Sequence, residues 1–149
     1  MEMQIVNLLS EDQVKKVKNL IEKIDFQDGG ISASGLAKDQ KNNREAVREG
    51  ENYKKLHNFI LNLLIKNDWI KRRYLPRKFS SPLINKYSED EFYGRHFDSA
   101  HMINDKVSTR NDFSFTLMLS KFEDYEGGEL VIENGKKVDT VKLDAGDMV

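Results

Sequence analysis

The sequence predicts an α+β fold in which two N-terminal helices brace a β-sandwich or barrel. Three observations carry that prediction. Val14, Val17, Leu20, Ile21 and Ile24 recur with helical period, and Leu56, Phe59, Ile60, Leu63 and Leu64 repeat the pattern at i, i+3, i+4, i+7 and i+8. After Pro76 the texture turns to short, strand-like segments separated by turn residues. At 149 residues the chain fits one domain with a real core, 1–75 forming a helical buttress and loop and 76–149 the β-core.

Each element has a local reason. Ile5, Val6, Leu8 and Leu9 suggest a short strand, and Ser10 stands three residues before Gln13, the spacing of a capping box. The first helix should end before Asp28-Gly29-Gly30. From 28 to 50 the chain is polar and aperiodic (Ser32, Ser34, Gly35, Gln40, Asn42, Asn43), so it reads as a long loop, either a lid or a connector. The second helix should run from Glu51 to Lys66, with Trp69 and Ile70 entering the core beyond it. Residues 82–87 read as a strand, and 111–120 is the cleanest alternation, with Phe113, Phe115, Leu117 and Leu119 on one face. Gly127-Gly128 precedes a strand at 129–133, Asn134-Gly135 signals a hairpin into 137–143, and Ala145-Gly146-Asp147 turns into a last strand at Met148-Val149.

Composition excludes several functions. The net charge of −1 provides no global field for nucleic acid or an anionic membrane. The basic cluster Lys71, Arg72, Arg73, Arg77 and Lys78 reads first as a solvated edge, with a phosphate-binding patch as the alternative. The absence of cysteine excludes disulfides, thiolate metal ligands and a Cys nucleophile. Met1-Glu2-Met3-Gln4 lacks a basic region leading into an apolar run, and the longest apolar stretch, 59–65, is broken by Asn62. The expectation is a cytoplasmic protein with neither nucleic-acid nor membrane partners.

Chemistry concentrates at Tyr93-Gly94-Arg95-His96-Phe97-Asp98. In extended backbone, residues two apart share a face, so His96 and Asp98 point the same way. An imidazole beside a carboxylate is two thirds of the 2-His-1-carboxylate triad, which holds Fe(II) and leaves positions open. Such a pair is a weak signal alone, and its flanks add weight. The other histidines read differently: His57 as a surface or packing residue, His101 as a loop residue near the mouth of the site or, less simply, a ligand folded back.

Several stretches together resemble one family. They are Lys41-Asn42-Asn43, Leu75-Pro76, Phe79-Ser80-Ser81-Pro82-Leu83, Asn85-Lys86-Tyr87 and the His96 segment. Further along come Arg110-Asn111-Asp112-Phe113-Ser114, Thr116-Leu117-Met118-Leu119-Ser120, Tyr125-Glu126-Gly127-Gly128-Glu129-Leu130 and Val141-Lys142-Leu143-Asp144-Ala145-Gly146-Asp147. In order and spacing this resembles the bacterial PKHD-type hydroxylases, among the prolyl-4-hydroxylase-like Fe(II)/2-oxoglutarate dioxygenases. The resemblance implies a double-stranded β-helix (jelly-roll) with Fe(II) at its open end, His96 and Asp98 matching the first two ligands. It places Tyr87 in the 2-oxoglutarate pocket, with Thr116 and Met118 on the strand face bordering the cosubstrate. The implied reaction couples oxidative decarboxylation of 2-oxoglutarate by O₂ to hydroxylation of a C–H bond, with L-ascorbate as an accessory. The substrate, a small molecule or a protein residue, is not legible.

The resemblance also implies a second iron-binding His after the Gly-Asp turn, then an Arg pairing the distal carboxylate of 2-oxoglutarate. Neither occurs by Val149; Arg95 alternates away from the iron side, and Arg110 is unsupported as a clamp. The expectation is therefore a jelly-roll with its final strands missing and weak or no turnover by these 149 residues. An unclosed edge would favour instability and permit a homodimer. The alternatives are a natural truncation retaining a binding role, or a non-catalytic jelly-roll that binds a ligand or metal.

Overall fold

A computed structural model describes residues 3–33, 35–104 and 107–149. Met1, Glu2 and Ser34, all named in the sequence reading, lie outside the described residues. In chain order the elements are β1 (Val6–Asn7), α1 (Glu11–Ile21), β2 (Phe26–Asp28), a 3₁₀ turn (Gly29–Ser32), α2 (Leu36–Asp39), β3 (Lys41–Asn42) and β4 (Arg44–Ala46). Then follow α3 (Glu51–Lys66), α4 (Asp68–Tyr74), β5 (Asn85–Lys86), β6 (Phe92–Tyr93), β7 (His101–Asn104) and β8 (Val107–Arg110). A 3₁₀ turn (Phe122–Asp124), β9 (Leu130–Asn134), β10 (Lys137–Val141) and β11 (Asp147–Met148) complete the chain. The class is α+β with small antiparallel sheets, and the residues fall into two compact units, Met1–Asn19 with Phe115–Val149 and Leu20–Ser114.

The first unit joins the two ends of the chain. Ser10 and Gln13 exchange the two hydrogen bonds of a capping box, so α1 begins where the sequence places it. The helix buries Val14 and Val17, which share a core with Leu8, Leu9, Val141 and Met148. β1 pairs with β11, and on the other side of β11 Thr116 and Met118 exchange backbone hydrogen bonds with residues 146–149. The last strand is thus paired on both edges. Gly146 lets its turn close: its carbonyl accepts from the N–H groups of Leu8 and Leu9, and its φ of 100° favours glycine. β9 and β10 form the expected hairpin, closed by Gly135-Lys136 with Gly135 at φ 61°.

The second unit is built on α3, whose Tyr53, Leu56, Ile60 and Leu64 are buried over the span the periodicity predicts. Asn67 caps α4 by accepting from the Ile70 N–H at 3.0 Å. Ile70 is buried as expected, but Trp69 stays outside the core, edge-on to Tyr74 with ring centroids 5.7 Å apart. α4 points Trp69 and Ile70 in different directions, and only one can face inward.

Three expectations are corrected. The polar stretch 28–50 is not a loop but β2, a 3₁₀ turn, α2, β3 and β4, in the sheets β2-β4-β5 and β3-β6. The predicted strand at 82–87 shrinks to Asn85–Lys86. The long alternation at 111–120 forms no continuous strand and keeps only the isolated bridge from Leu117 to Met148. The reason is partners: Asn111 spends its backbone N–H on Ala100 and its side-chain amide on Ser99, and ladder-type hydrogen bonds to another strand are made, among the described residues, by Thr116 and Met118. Phe113 is correspondingly exposed and packs against the Tyr74 ring instead of a core. Among the described residues no helix is long and apolar enough to cross a membrane.

Candidate metal centre

His96 and Asp98 lie just beyond β6, outside any strand. They converge as the i, i+2 argument requires: His96 Nε2 is 3.6 Å from Asp98 Oδ1. Phe97, between them, alternates to the other side and is 95% exposed. The imidazole is the better sheltered of the pair, its side chain 25% exposed against 64% for Asp98.

Two contacts fix the imidazole. Nδ1 lies 2.8 Å from the Gly94 carbonyl. A carbonyl can only accept, so Nδ1 carries the hydrogen, and in the tautomer that binds a metal Nε2 presents its lone pair on the side of Asp98. Two lone-pair atoms facing each other at this distance repel unless a proton or a cation sits between them. A tie from Nδ1–H to a backbone carbonyl is the usual support of a metal-binding histidine. The ring also stacks on Tyr93, with centroids 3.6 Å apart and planes 7° from parallel. Nε2 and Oδ1 are close enough together to be the residues that would hold one ion. The donor set therefore fits two of the three ligands of a 2-His-1-carboxylate triad, with nitrogen and oxygen donors suited to Fe(II). Among the described residues no group of three or more His, Asp or Glu side chains is placed to hold a metal.

β6 is held by β3. Lys41 pairs with Tyr93 in register, and the Gly94 N–H donates to the Gln40 carbonyl at 2.7 Å. A side chain at Gly94 would press on Gln40, since a Cβ there would lie 2.5 Å from Gln40 Oε1. Behind this pairing sits a charged network. Lys41 Nζ donates to Ser32 Oγ at 2.7 Å and Glu45 Oε2 at 3.1 Å, and it lies over the Tyr93 ring, 5.1 Å from the centroid. Ser32 also donates to Glu45, while Arg48 bonds Glu45 Oε1 through two nitrogens at 2.8 and 3.3 Å. The side chains of Lys41 and Glu45 are 2% and 3% exposed. Burial raises the Glu45 pKa, but hydrogen bonds from Ser32, Arg48 and Lys41, with the Lys41 charge, outweigh it and leave the carboxyl below its ordinary value. Burial pushes the Tyr93 phenol up, and the Asp98 and Glu45 carboxylates push the same way.

The remaining candidates separate. Tyr87 belongs to the same unit and is about half exposed. Its phenol is raised by burial and further by Tyr93, Glu45 and Glu91, against a hydrogen bond with the Asn43 side chain. Asn43 is buried, and its Oδ1 finds no partner among the described residues. Thr116 and Met118 belong to the other unit, where their backbones pair with residues 146–149. His57 is a packing residue, stacked on Tyr53 and within 3.2 Å of Ser81 Oγ. His101 is on β7 rather than in a loop, beside Ser108, and Arg110 is paired with Asp112 at 2.8 Å. An open hollow of about 350 Å³ is lined by Gln27, Ile31, Ser32, Glu45, Val47, Arg48 and Glu49 and includes neither His96 nor Asp98.

Sequence reasoning gave Lys41, Glu45 and Tyr93 no role. The signal was present: Lys41, Asn43 and Glu45 are buried while Asn42 and Arg44 are exposed, a period of two. Because both faces of the segment are polar, a hydrophobic pattern does not reveal which face turns inward.

Residues 82–149 match the family model of the 2OG-Fe(II) oxygenase superfamily. The chain is 37% identical over 147 residues to a PKHD-type hydroxylase of Alteromonas mediterranea, covering 97% of this chain and 65% of that protein. It is 37% identical over 149 residues to one of Saccharophagus degradans, covering 99% and 66%. With the PKHD-type hydroxylase YbiX of Escherichia coli it shares 36% identity over 148 residues, covering 97% and 65%. The chain spans about 65% of the length of the curated relatives it matches.

Proposed function

The chain belongs to the PKHD-type hydroxylases of the 2OG-Fe(II) oxygenase superfamily, and from that premise we propose that it carries two iron ligands, His96 and Asp98, of a Fe(II)- and 2-oxoglutarate-dependent hydroxylase. The observation that carries the proposal is the convergence of Nε2 and Oδ1 at 3.6 Å, with Nδ1 committed to Gly94. The proposal includes the jelly-roll core of such enzymes, a single functional domain over 1–149 and a cytoplasmic setting.

When bound, Fe(II) with 2-oxoglutarate and O₂ supplies the oxidising power to hydroxylate an unactivated C–H bond, with ascorbate as the accessory reductant. The chain's residues orient and hold. Gly94 fixes the His96 tautomer, Tyr93 fixes the ring plane, and Asp98 contributes the negative charge that favours a divalent cation over a neutral ligand. Tyr87, which interacts with the Asn43 side chain and with Tyr93, is proposed to line the cosubstrate pocket. The substrate is proposed to be a small molecule or a protein residue.

Anaerobic titration with Co(II), as a spectroscopic surrogate for Fe(II), tests the ligand assignment. Saturable binding is expected in the parent chain, with affinity lowered at least about tenfold in His96→Ala and in Asp98→Ala. Equal affinity in all three proteins would overturn it. Succinate release from 2-oxoglutarate under O₂, expected to be weak from these 149 residues and lost in His96→Ala, tests the reaction itself. Saturable, chelator-insensitive ligand binding without succinate would instead support a non-catalytic module.

A further inference from the structure

We propose that Lys41 is a positioning residue for the metal ligand His96, acting through the ring of Tyr93. The proposal rests on the ligand assignment above only for its consequence in metal binding; its structural half stands on contacts among the chain's own residues.

An ammonium group has three donors in a tetrahedral fan. In Lys41 two are taken by Ser32 Oγ at 2.7 Å and Glu45 Oε2 at 3.1 Å. The remaining one is left for the π face of Tyr93, whose centroid is 5.1 Å from Nζ, within the range of a cation–π contact. The cation is locked: its side chain is 2% exposed and Glu45 is itself clamped by Ser32 and Arg48. The same Tyr93 ring lies 3.6 Å from the His96 imidazole in a nearly parallel stack. Backbone pairing reinforces the line, since Lys41 and Tyr93 are register partners and Gly94, next to Tyr93, accepts from His96 Nδ1. A buried charge thus fixes the tyrosine plane, and that plane fixes the imidazole. Such an anchor matters because His96 follows β6 in backbone with no ladder of its own.

The test uses the whole chain with histidines labelled for NMR and no metal present. Stacking on Tyr93 shifts the His96 ring protons upfield through the ring current, and the His57 and His101 resonances serve as internal references. In Lys41→Met, which keeps the length of the side chain and removes the charge, the His96 resonances are expected to move toward random-coil positions while those of His57 stay in place. Lys41→Arg, which keeps a cation, is expected to restore them. Co(II) affinity, measured separately, is expected to fall about tenfold in Lys41→Met, the size typical of losing a group that orients a ligand. A folded Lys41→Met protein with unmoved His96 resonances would overturn the proposal. If that variant does not fold, Lys41→Gln combined with Glu45→Gln removes the cation without stranding a carboxylate, and the same resonances decide. Because the imidazole shift is read without metal, moved resonances with no Co(II) binding in any variant would count against the ligand assignment and not against the Lys41 contact.

Discussion

Replacing either partner of the Lys41–Glu45 pair should not cost the same. Glu45→Gln leaves the Lys41 ammonium buried with the Ser32 hydroxyl and the Tyr93 ring but no counter-charge, and leaves Arg48 without its carboxylate a short distance away. Uncompensated buried charge of this kind costs about 3–5 kcal/mol. Lys41→Met removes the opposite partner, yet Glu45 keeps the Ser32 hydroxyl and both nitrogens of Arg48. Its loss is closer to that of one hydrogen bond to a charged group, about 1.5–3 kcal/mol. Urea unfolding at pH 7 by circular dichroism reads the difference. With a slope of about 2 kcal/mol per molar urea, the midpoint should fall by about 1.5–2.5 M in Glu45→Gln and by roughly half as much in Lys41→Met. Lys41→Met as costly as Glu45→Gln, or more so, would refute the assignment of Arg48 as the second counter-charge.

Two further outcomes are expected. Glu45 has a lowered folded pKa, so the stability it contributes is present above the ordinary glutamate value, about 4.3, and is lost as pH falls through the lowered folded value. The stability gap between the parent chain and Glu45→Gln should therefore be constant near neutrality and close below about pH 4, and a gap unchanged down to pH 3 (roughly one unit below the ordinary value) would contradict the ionised, hydrogen-bonded carboxylate. Gly146→Ala should cost at least about twice as much as Gly135→Ala. Both residues sit at positive φ, which costs about 1–2 kcal/mol for an L side chain, but only at Gly146 does an added Cβ also meet backbone, the Leu9 carbonyl oxygen at 2.5 Å. Equal midpoint shifts in thermal melts of the two variants would show that the turn at Gly146 yields to the contact.

Local information was enough for several features. The capping box at Ser10 and Gln13, the span of α3, the hairpin closed next to Asn134 and the glycine turn at 146 are each set by the preferences of a few adjacent residues. His96 and Asp98 also come together through their two-residue spacing, without a sheet partner. The family was legible for the same reason, since its motifs are short and lie in order along the chain. Where a segment needed a distant partner, the sequence was silent or misleading. The alternation at 111–120 predicted a strand of ten residues, but pairing reaches only 116–118 because residue 111 bonds elsewhere.

The polar stretch 28–50 shows the same division most clearly. Its composition is that of a loop, yet pairing with 85–86 and 92–93 turns Lys41, Asn43 and Glu45 inward and shuts two opposite charges away from water. By itself the sequence determined α1, α3, the hairpin and glycine turns and the closeness of the two candidate ligands, because those depend on neighbours a few residues apart. Only the tertiary structure decided that a buried lysine lies over a tyrosine ring and that the same ring stacks on an imidazole. That arrangement joins segments some fifty residues apart, and no local preference encodes it.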